Sequence, residues 1–479
     1  MRPIRFGTDG WRGVIADDFT YQRAAVVCAA IGEYLEAEGR AGQGMAIGYD
    51  TRFASREIAM LATSILTQRG IPVRLAATSA PTPVVSYTIT RARLGGAVMV
   101  TASHNPSKYN GIKFKPWFGG PAPEQATMTI EERANALLPA FDADDALRRG
   151  PQAAWLTQED FIPPYLEHIR TQIDVKAVGA MRPRLIVDPL YGAASGVLDR
   201  ALQEIGCRLQ VLHGEYNPGF GGINPDPTEQ QLEELMKSVR HTRVEGAVAA
   251  DGDGDRLGAV AETGEYISSH HLFALLLMHL VEDRELRGGV VKTVSTSTMI
   301  GQLAARYGLP LYETPVGFRN IAQLMLEDDI LIGGEENGGI GVRGHIPERD
   351  ATLAALLLVE MMAHRHTTLG GLLAQLRERV GDHAIRRLDL ALPQPPAPAE
   401  LLALRSRLPR RLAGIPVSGT NERDGLKILL LDGSWVLLRA SGTEPMLRIY
   451  AESDTAEKVQ ALLNEGVALL SHGDIRQAA

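Results

Sequence analysis

The sequence predicts an α/β protein: three similar α/β domains in tandem, then a smaller C-terminal α+β domain. Three observations predict it. First, the segments MAIGYDTRFASREIAMLATSILTQRGIPVRLA from Met45, RLIVDPLYGAASGVLDRALQEIGCRLQVLH from Arg184 and GVVKTVSTSTMIGQLAARYGLPLYET from Gly289 share one pattern. Each reads as an apolar strand, a small or polar helix start, an amphipathic helix and a second short strand, the βαβ signature. Each helix runs to a glycine (Gly70, Gly206, Gly308), suited to a left-handed C-terminal cap. Second, each unit is followed by another apolar strand that runs into a polar loop: LGGAVMV into TASHNP, VEGAVAA into DGDGDR, DDILIGG into EENGG. Ligands on open α/β sheets gather at the carboxyl ends of strands. Third, the pattern changes near the C-terminus. LPQPPAPAE, from Leu392, is a Pro/Ala-rich connection or surface insertion, and DGLKILLLDGSWVLLRAS reads as a hairpin turning at Asp432-Gly433, before a last amphipathic helix from Thr455. The expected divisions are 1–155, 156–258, 259–380 and 381–479.

Size and composition agree. The chain has 479 residues, enough for three or four domains, and its 45% hydrophobic content can fill substantial cores. Net charge is −8, from 49 basic and 57 acidic residues, with no long basic block. Nucleic acid and anionic membrane are therefore poor partners, while a small anion could still be held by local Arg and Lys. Cys28 and Cys207 sit in apolar patterns and are expected as buried thiols, which suits a reducing cytoplasm. MRPIRFGTDGWRG has no apolar signal core, and HLFALLLMHLV is too short to span a bilayer.

The loops carry the chemistry. In TASHNPSKYNGIKF, Ser103 follows a buried strand, and Asn105-Pro106 and Asn110-Gly111 are turn signals that lift the loop off the sheet. No G-x-S-x-G elbow is present, so an acyl hydrolase is not indicated. In DGDGDR, Asp251, Asp253 and Asp255 can converge if Gly252 and Gly254 let the backbone curl, and like charges that close call for a cation. Oxygen-only ligands favour Mg²⁺ or Ca²⁺. An EF-hand and a solvated acidic turn are the competing readings. Glu262 falls at the twelfth EF-hand position, but Arg256 stands where that loop needs glycine and a strand rather than a helix precedes. GGEENGG offers a carboxylate and an amide suited to sugar hydroxyls, and RASGTEP, with Arg448 beyond, offers hydroxyls, backbone N–H groups and guanidinium suited to phosphate. Alone, either reads equally well as an ordinary turn or strand end.

Together, FGTDGWRG, TASHNPSKYNGIKF, DGDGDR, GGEENGGI and RASGTEP, in this order and over essentially the whole chain, resemble the α-D-phosphohexomutase family of phosphoglucomutases and phosphomannomutases. The resemblance implies mixed sheets and four domains around one central cleft. It implies that Ser103 is a phosphoserine and that Asp251, Asp253 and Asp255 hold one Mg²⁺, completed by an oxygen of the Ser103 phosphate. Arg12 and Lys113 would flank the reacting centre, with Lys113 as general acid/base and His104 and Arg256 in support. Glu335, Asn337 and Gly317 would contact the sugar. Arg439, Ser441, Gly442, Thr443 and Arg448 would grip the phosphate that is not reacting. Many relatives have Ser at the place of Asn337 and some have His at the place of Gly339, so His345 and Arg349, in GHIPERD, are candidate replacements on the substrate side. The implied reaction interconverts hexose 1-phosphate and hexose 6-phosphate, glucose first and mannose second, with glucose 1,6-bisphosphate or a similar compound as activator. The implied enzyme is a cytoplasmic monomer or homodimer acting on small sugar phosphates. Rivals on the same fold are a sugar bisphosphate synthase, a phosphopentomutase and a phosphoglucosamine mutase. Beyond them stand a non-catalytic sugar-phosphate-binding protein and an unrelated metal-dependent phosphatase.

Overall fold

The computed structural model describes residues 2–392, 396–440 and 446–471. The PQP stretch after Leu392 and the SGTEP stretch, including Ser441, Gly442 and Thr443, lie outside the described residues.

The chain builds four sheets. The first contains β1 (Phe6–Gly7), β2 (Gly10–Val14), β3 (Met45–Tyr49), β4 (Val73–Ala76), β5 (Gly96–Val100), β6 (Tyr109–Pro116) and β7 (Leu156–Glu159), in the order β1-β2-β6-β5-β3-β4-β7. The second contains β8 (Arg184–Asp188), β9 (Arg208–Val211), β10 (Gly246–Ala250), β11 (Leu257–Ala261) and β12 (Tyr266–Ile267), in the order β12-β11-β10-β8-β9. The third contains β13 (Gly289–Thr293), β14 (Leu311–Thr314), β15 (Ile330–Gly334) and β16 (Ile340–Val342), in the order β14-β13-β15-β16. β7 pairs with β4, and β11 and β12 stay with β10. Ladder pairing thus holds β7 to the first sheet and β11 and β12 to the second, so those sheets take in strands at or beyond residues 155 and 258.

The three sheets share one design. Each holds a run of parallel strands joined through helices (β4, β3 and β5; β9, β8 and β10; β14, β13 and β15), and one antiparallel strand follows the last of them. That partner is β6 for β5, β11 for β10 and β16 for β15. Every residue of β5, β10 and β15 is buried, as parallel strands covered on both faces require. Each polar loop is thus the turn between a buried strand and its antiparallel return, so it stays at the carboxyl end of the sheet. Gly70, Gly206 and Gly308 adopt φ of 75°, 107° and 66°, the left-handed conformation expected where their helices end.

The fourth sheet is antiparallel: β17 (Ala384–Ala391), β18 (Arg411–Leu412), β19 (Ile415–Asn421), β20 (Leu426–Leu430), β21 (Trp435–Ala440) and β22 (Met446–Ser453), in the order β17-β22-β21-β20-β19-β18. β20 and β21 form the expected hairpin across Asp432-Gly433. The helix Ala456–Ser471 packs on this sheet over its own apolar core, distinct from the one continuous core under the first three sheets. Trp435, Leu437 and Tyr450 of the fourth domain join Val294 of the third in a separate small cluster. Cys28 and Cys207 are buried free thiols. Among the described residues no helix is long and apolar enough to cross a membrane.

Candidate active site

β5 delivers Ser103 to the carboxyl end of the first sheet, and the loop beyond it is tied from beneath by Arg52. This guanidinium is buried against Asp50 (3.1 Å) and donates to the carbonyl oxygens of Ser103, Asn105 (2.6 Å), Pro106 (3.0 Å) and Tyr109 (3.0 Å). One planar cation with five donors therefore sets the course of the whole loop. Ser103 sits at φ 52°, in the left-handed region, with its N–H donating to Thr101 Oγ1 at 2.8 Å. Such a conformation persists only where the surroundings impose it. It turns Ser103 Oγ toward the second domain, where it donates to Asp251 Oδ2 at 2.8 Å. His104 Nδ1 is 3.4 Å from the same Oγ. Gly252 makes the approach possible: a Cβ there would lie 2.5 Å from the Ser103 carbonyl oxygen.

Asp251, Asp253 and Asp255 are fully buried, and one carboxylate oxygen from each lies within 4.8 Å of the others. Asp251 Oδ1 accepts from the backbone N–H groups of Asp255 (2.9 Å) and Arg256 (3.0 Å), which curls the loop around its first residue. Lys113 enters from β6, where it pairs across from Met99, and its Nζ lies 2.8 Å from Asp253, 3.2 Å from Asp255 and 2.8 Å from Asp9. Arg349 donates to Asp255 Oδ2 at 2.7 Å and to Asp9 Oδ2 at 2.6 Å. Asp253 Oδ1 and Asp255 Oδ1 are buried and have no hydrogen-bond partner. Two orphaned carboxylate oxygens beside a third carboxylate form a hard-donor set that fits a divalent cation such as Mg²⁺.

The charges are strongly interdependent. Burial, together with Asp253 and Asp255, pushes the Asp251 carboxyl well above the usual carboxylate range. Burial acts the same way on Asp253, yet the Lys113 charge and hydrogen bond outweigh it and hold that carboxyl low. Burial would lower the Lys113 ammonium, but Asp253, Asp255 and Asp9 together raise it. His104 is driven well below the ordinary imidazole range by burial and by Arg256 and Arg12 nearby.

Above this centre lies a cavity of about 1030 Å³ to which all four domains contribute. Arg12, His104 and Arg256 line it beside the reacting loop, and Gly317, Glu335, Asn337 and Arg349 line it from the third domain. Arg12 donates to Asn105 Oδ1 at 2.5 Å. Glu335 Oε1 accepts from Gly317 N at 3.0 Å, and Asn337 Oδ1 accepts from Gly339 N at 2.9 Å. Arg349 reaches the centre by crossing Gly339, where a Cβ would lie 2.2 Å from its Cδ. Arg448 lines the cavity from the fourth domain. Arg439 pairs instead with Asp424 at 2.8 Å and does not line it.

His345 stands apart, contrary to the expectation that it meets substrate. Its Nε2 is 2.9 Å from Asp350 Oδ2, its Nδ1 is 3.0 Å from His168 Nε2, and its ring stacks on that histidine. With both nitrogens engaged between domains, it does not line the cavity. Asp9, Arg52 and Thr82 escaped the sequence reading. Asp9 lies inside FGTDGWRG, and Arg52 follows the buried strand β3 at its carboxyl end, the position that also carries the polar loops.

Comparison with known proteins agrees with this arrangement. Family models described as phosphoglucomutase/phosphomannomutase, alpha/beta/alpha domains I, II and III, match residues 3–139, 163–264 and 268–380. The model for the C-terminal domain matches 402–468. A phosphoglucomutase/phosphomannomutase of Thermococcus kodakarensis is 32% identical over 97% of this chain and 98% of its own length. A phosphoglucosamine mutase of Novosphingobium aromaticivorans is 30% identical over 96% of this chain and 97% of its own. The crystal structure of a candidate phosphomannomutase of Thermus thermophilus superposes with a TM-score of 0.86 at 33% identity, covering 98% of this chain and 99% of that one. With all four domains matched in order, a serine held against a triple-aspartate curl and one cavity shared by the domains, the chain belongs to the phosphoglucomutase/phosphomannomutase family of intramolecular phosphotransferases.

Proposed function

We propose that this chain interconverts hexose 1-phosphate and hexose 6-phosphate through a phosphoester on Ser103. The observation that carries the reading is Ser103 Oγ, 2.8 Å from Asp251, one residue before His104, which lines a cavity of about 1030 Å³ rich in arginine and large enough for a bisphosphorylated sugar. In the first half-reaction the free sugar hydroxyl attacks the phosphorus and the Ser103 Oγ–P bond breaks. The hydroxyl proton passes to a base, and Ser103 Oγ takes a proton. The bisphosphorylated sugar then reorients; Ser103 Oγ gives up its proton and attacks the phosphorus of the other phosphate, the sugar O–P bond breaks, the sugar oxygen takes a proton, and the phosphoserine is restored as product leaves.

Phosphoryl transfer asks the protein for alignment and charge neutralisation more than for covalent machinery. Arg52 holds the loop in place. Arg12, Arg256 and Arg349 offset phosphoryl charge from the cavity side, and His104 supports Ser103 Oγ. Lys113 moves the proton. Asp251, Asp253 and Asp255 hold one Mg²⁺, which when bound draws charge from the phosphoryl group. Glu335, Asn337 and Gly317 meet the sugar. Arg448, with Ser441, Gly442 and Thr443 of the RASGTEP segment, holds the phosphate that is not reacting. A site that reads only phosphate serves both orientations of the intermediate.

Glucose is the first substrate and mannose the second, with a glucose 1,6-bisphosphate-like activator. We read the enzyme as a cytoplasmic monomer or homodimer. Identity with a phosphoglucosamine mutase supports a second reading, glucosamine phosphates. A coupled assay with glucose, mannose and glucosamine 1-phosphates, with and without glucose 1,6-bisphosphate, separates these. Fastest turnover on glucose, stimulated by the bisphosphate, is expected. Release of inorganic phosphate without isomerisation would overturn the reading.

A further inference from the structure

Asp253 and Asp255 are each tied back through one oxygen, whereas Asp251 accepts at both, and the ties differ in kind. Asp251 Oδ1 is held by two backbone N–H groups, and Asp255 Oδ2 by Arg349 and Lys113. Asp253 Oδ2 receives two side-chain donors: Lys113 Nζ at 2.8 Å and, from the first domain, Thr82 Oγ1 at 2.6 Å. Thr82 is wholly buried and begins the helix Thr82–Ala92, and its N–H donates to the Asp253 carbonyl oxygen at 2.8 Å. The residue therefore grips Asp253 at the main chain and at the side chain together. The other carboxylate oxygen, Asp253 Oδ1, is buried without a partner.

We propose that Thr82 is a positioning residue for the divalent-ion site, fixing the plane of the Asp253 carboxylate so that Oδ1 faces the ion; this rests on the reading of the aspartates as metal ligands. A carboxylate turns about its Cβ–Cγ bond. Two donors on one oxygen, arriving from different directions, stop that rotation and leave the second oxygen free to coordinate. Without the hydroxyl, Lys113 remains the sole side-chain donor to Asp253, and a rotating carboxylate can offer it either oxygen. Hydroxyl and amide groups behind metal ligands act in this way, and their loss weakens metal affinity about 10–100-fold. Thr82 also belongs to the domain that carries Ser103, so the same hydroxyl registers the serine loop against the metal loop.

The test is Mg²⁺ titration of the full-length protein by calorimetry, with melting of the metal-free forms as a control. Thr82→Val keeps the shape and removes the donor; its Mg²⁺ dissociation constant should rise about tenfold or more. Thr82→Ser keeps the donor and should stay within about twofold of wild type. In assays, the Mg²⁺ concentration for half-maximal rate should rise in Thr82→Val, while kcat at saturating Mg²⁺ recovers toward wild type. If Thr82→Val does not fold, Thr82→Ala takes its place with the same thresholds. Unchanged Mg²⁺ affinity without the hydroxyl, or a loss in Thr82→Ser as large as in Thr82→Val, would overturn the proposal. A wild-type chain that takes up no Mg²⁺ would end the metal-site reading and this proposal together. A chain that binds Mg²⁺ but ignores Thr82 would end this proposal alone.

Discussion

At the scale of single residues, the proposed function rests on a few side chains whose donors and oxygens are individually placed. Arg52 gives its donors to Asp50 and to four carbonyls of the serine loop, so a lysine in its place keeps the charge and loses the fork. Arg52→Lys should lower kcat roughly a hundredfold through misplaced Ser103 while leaving the melting temperature of the other domains' core largely intact; steady-state kinetics and calorimetry together check this. Gly339→Ala should push aside the Arg349 shaft and cost roughly tenfold in kcat/KM, and in an Arg349→Ala background the same change should cost little. Equal costs in both backgrounds would separate the two residues. Ser103 and the aspartates were legible in the sequence because each sits where an apolar run ends, inside a motif. His345 was misplaced because His168 lies far away in the sequence, outside any loop motif, and Asp350, though it closes GHIPERD, does not by itself reveal that both ring nitrogens are taken.

At the scale of elements, the repeated βαβ unit was plain from periodicity, and so was the glycine that ends each helix. The antiparallel return strands β6, β11 and β16 were not. Their patterns resemble any short apolar run, and strand direction depends on which neighbours are available for pairing. These returns place every loop at a sheet's carboxyl end. Another junction hidden from sequence is Glu452 of β22. It accepts from Ser297 Oγ (2.6 Å), Thr298 N (2.9 Å) and His383 Nδ1 (2.7 Å), closing the N-terminus of the helix Thr298–Tyr307 in another domain. Burial raises its carboxyl, but His383, Ser297 and the Thr298 N–H outweigh that and hold it at about 2. A depressed carboxylate stabilises the fold above its unfolded value, about 4.3, and loses that contribution as pH falls toward 2. Glu452→Gln should therefore cost about 1–3 kcal/mol near pH 7, with the gap to wild type shrinking below about pH 4.3. Urea midpoints measured across that range check it, and a gap independent of pH would contradict it.

At the scale of the whole molecule, four domains give one cavity its walls. Arg12 and His104 come from the first domain, Arg256 from the second, Glu335 and Arg349 from the third, and Arg448 from the fourth. The order of domains was legible because each carries its own motif. The distances between them were not, because they depend on contacts such as Gly252 against the Ser103 carbonyl that no single segment encodes. Removing divalent ions with EDTA should abolish turnover, and added Mg²⁺ should restore it, since the triad's buried oxygens need a cation to offset their mutual repulsion. Ser103→Ala should remove turnover by roughly a thousandfold or more while sugar-phosphate binding persists. The most direct test of the account is to incubate the protein with glucose 1,6-bisphosphate and Mg²⁺ and locate covalent phosphate by peptide mass spectrometry. One phosphate on the peptide containing Ser103, absent from Ser103→Ala, is the predicted result. Isomerisation of hexose phosphate at full rate with Ser103 unmodified, or with the label on another residue, would contradict it.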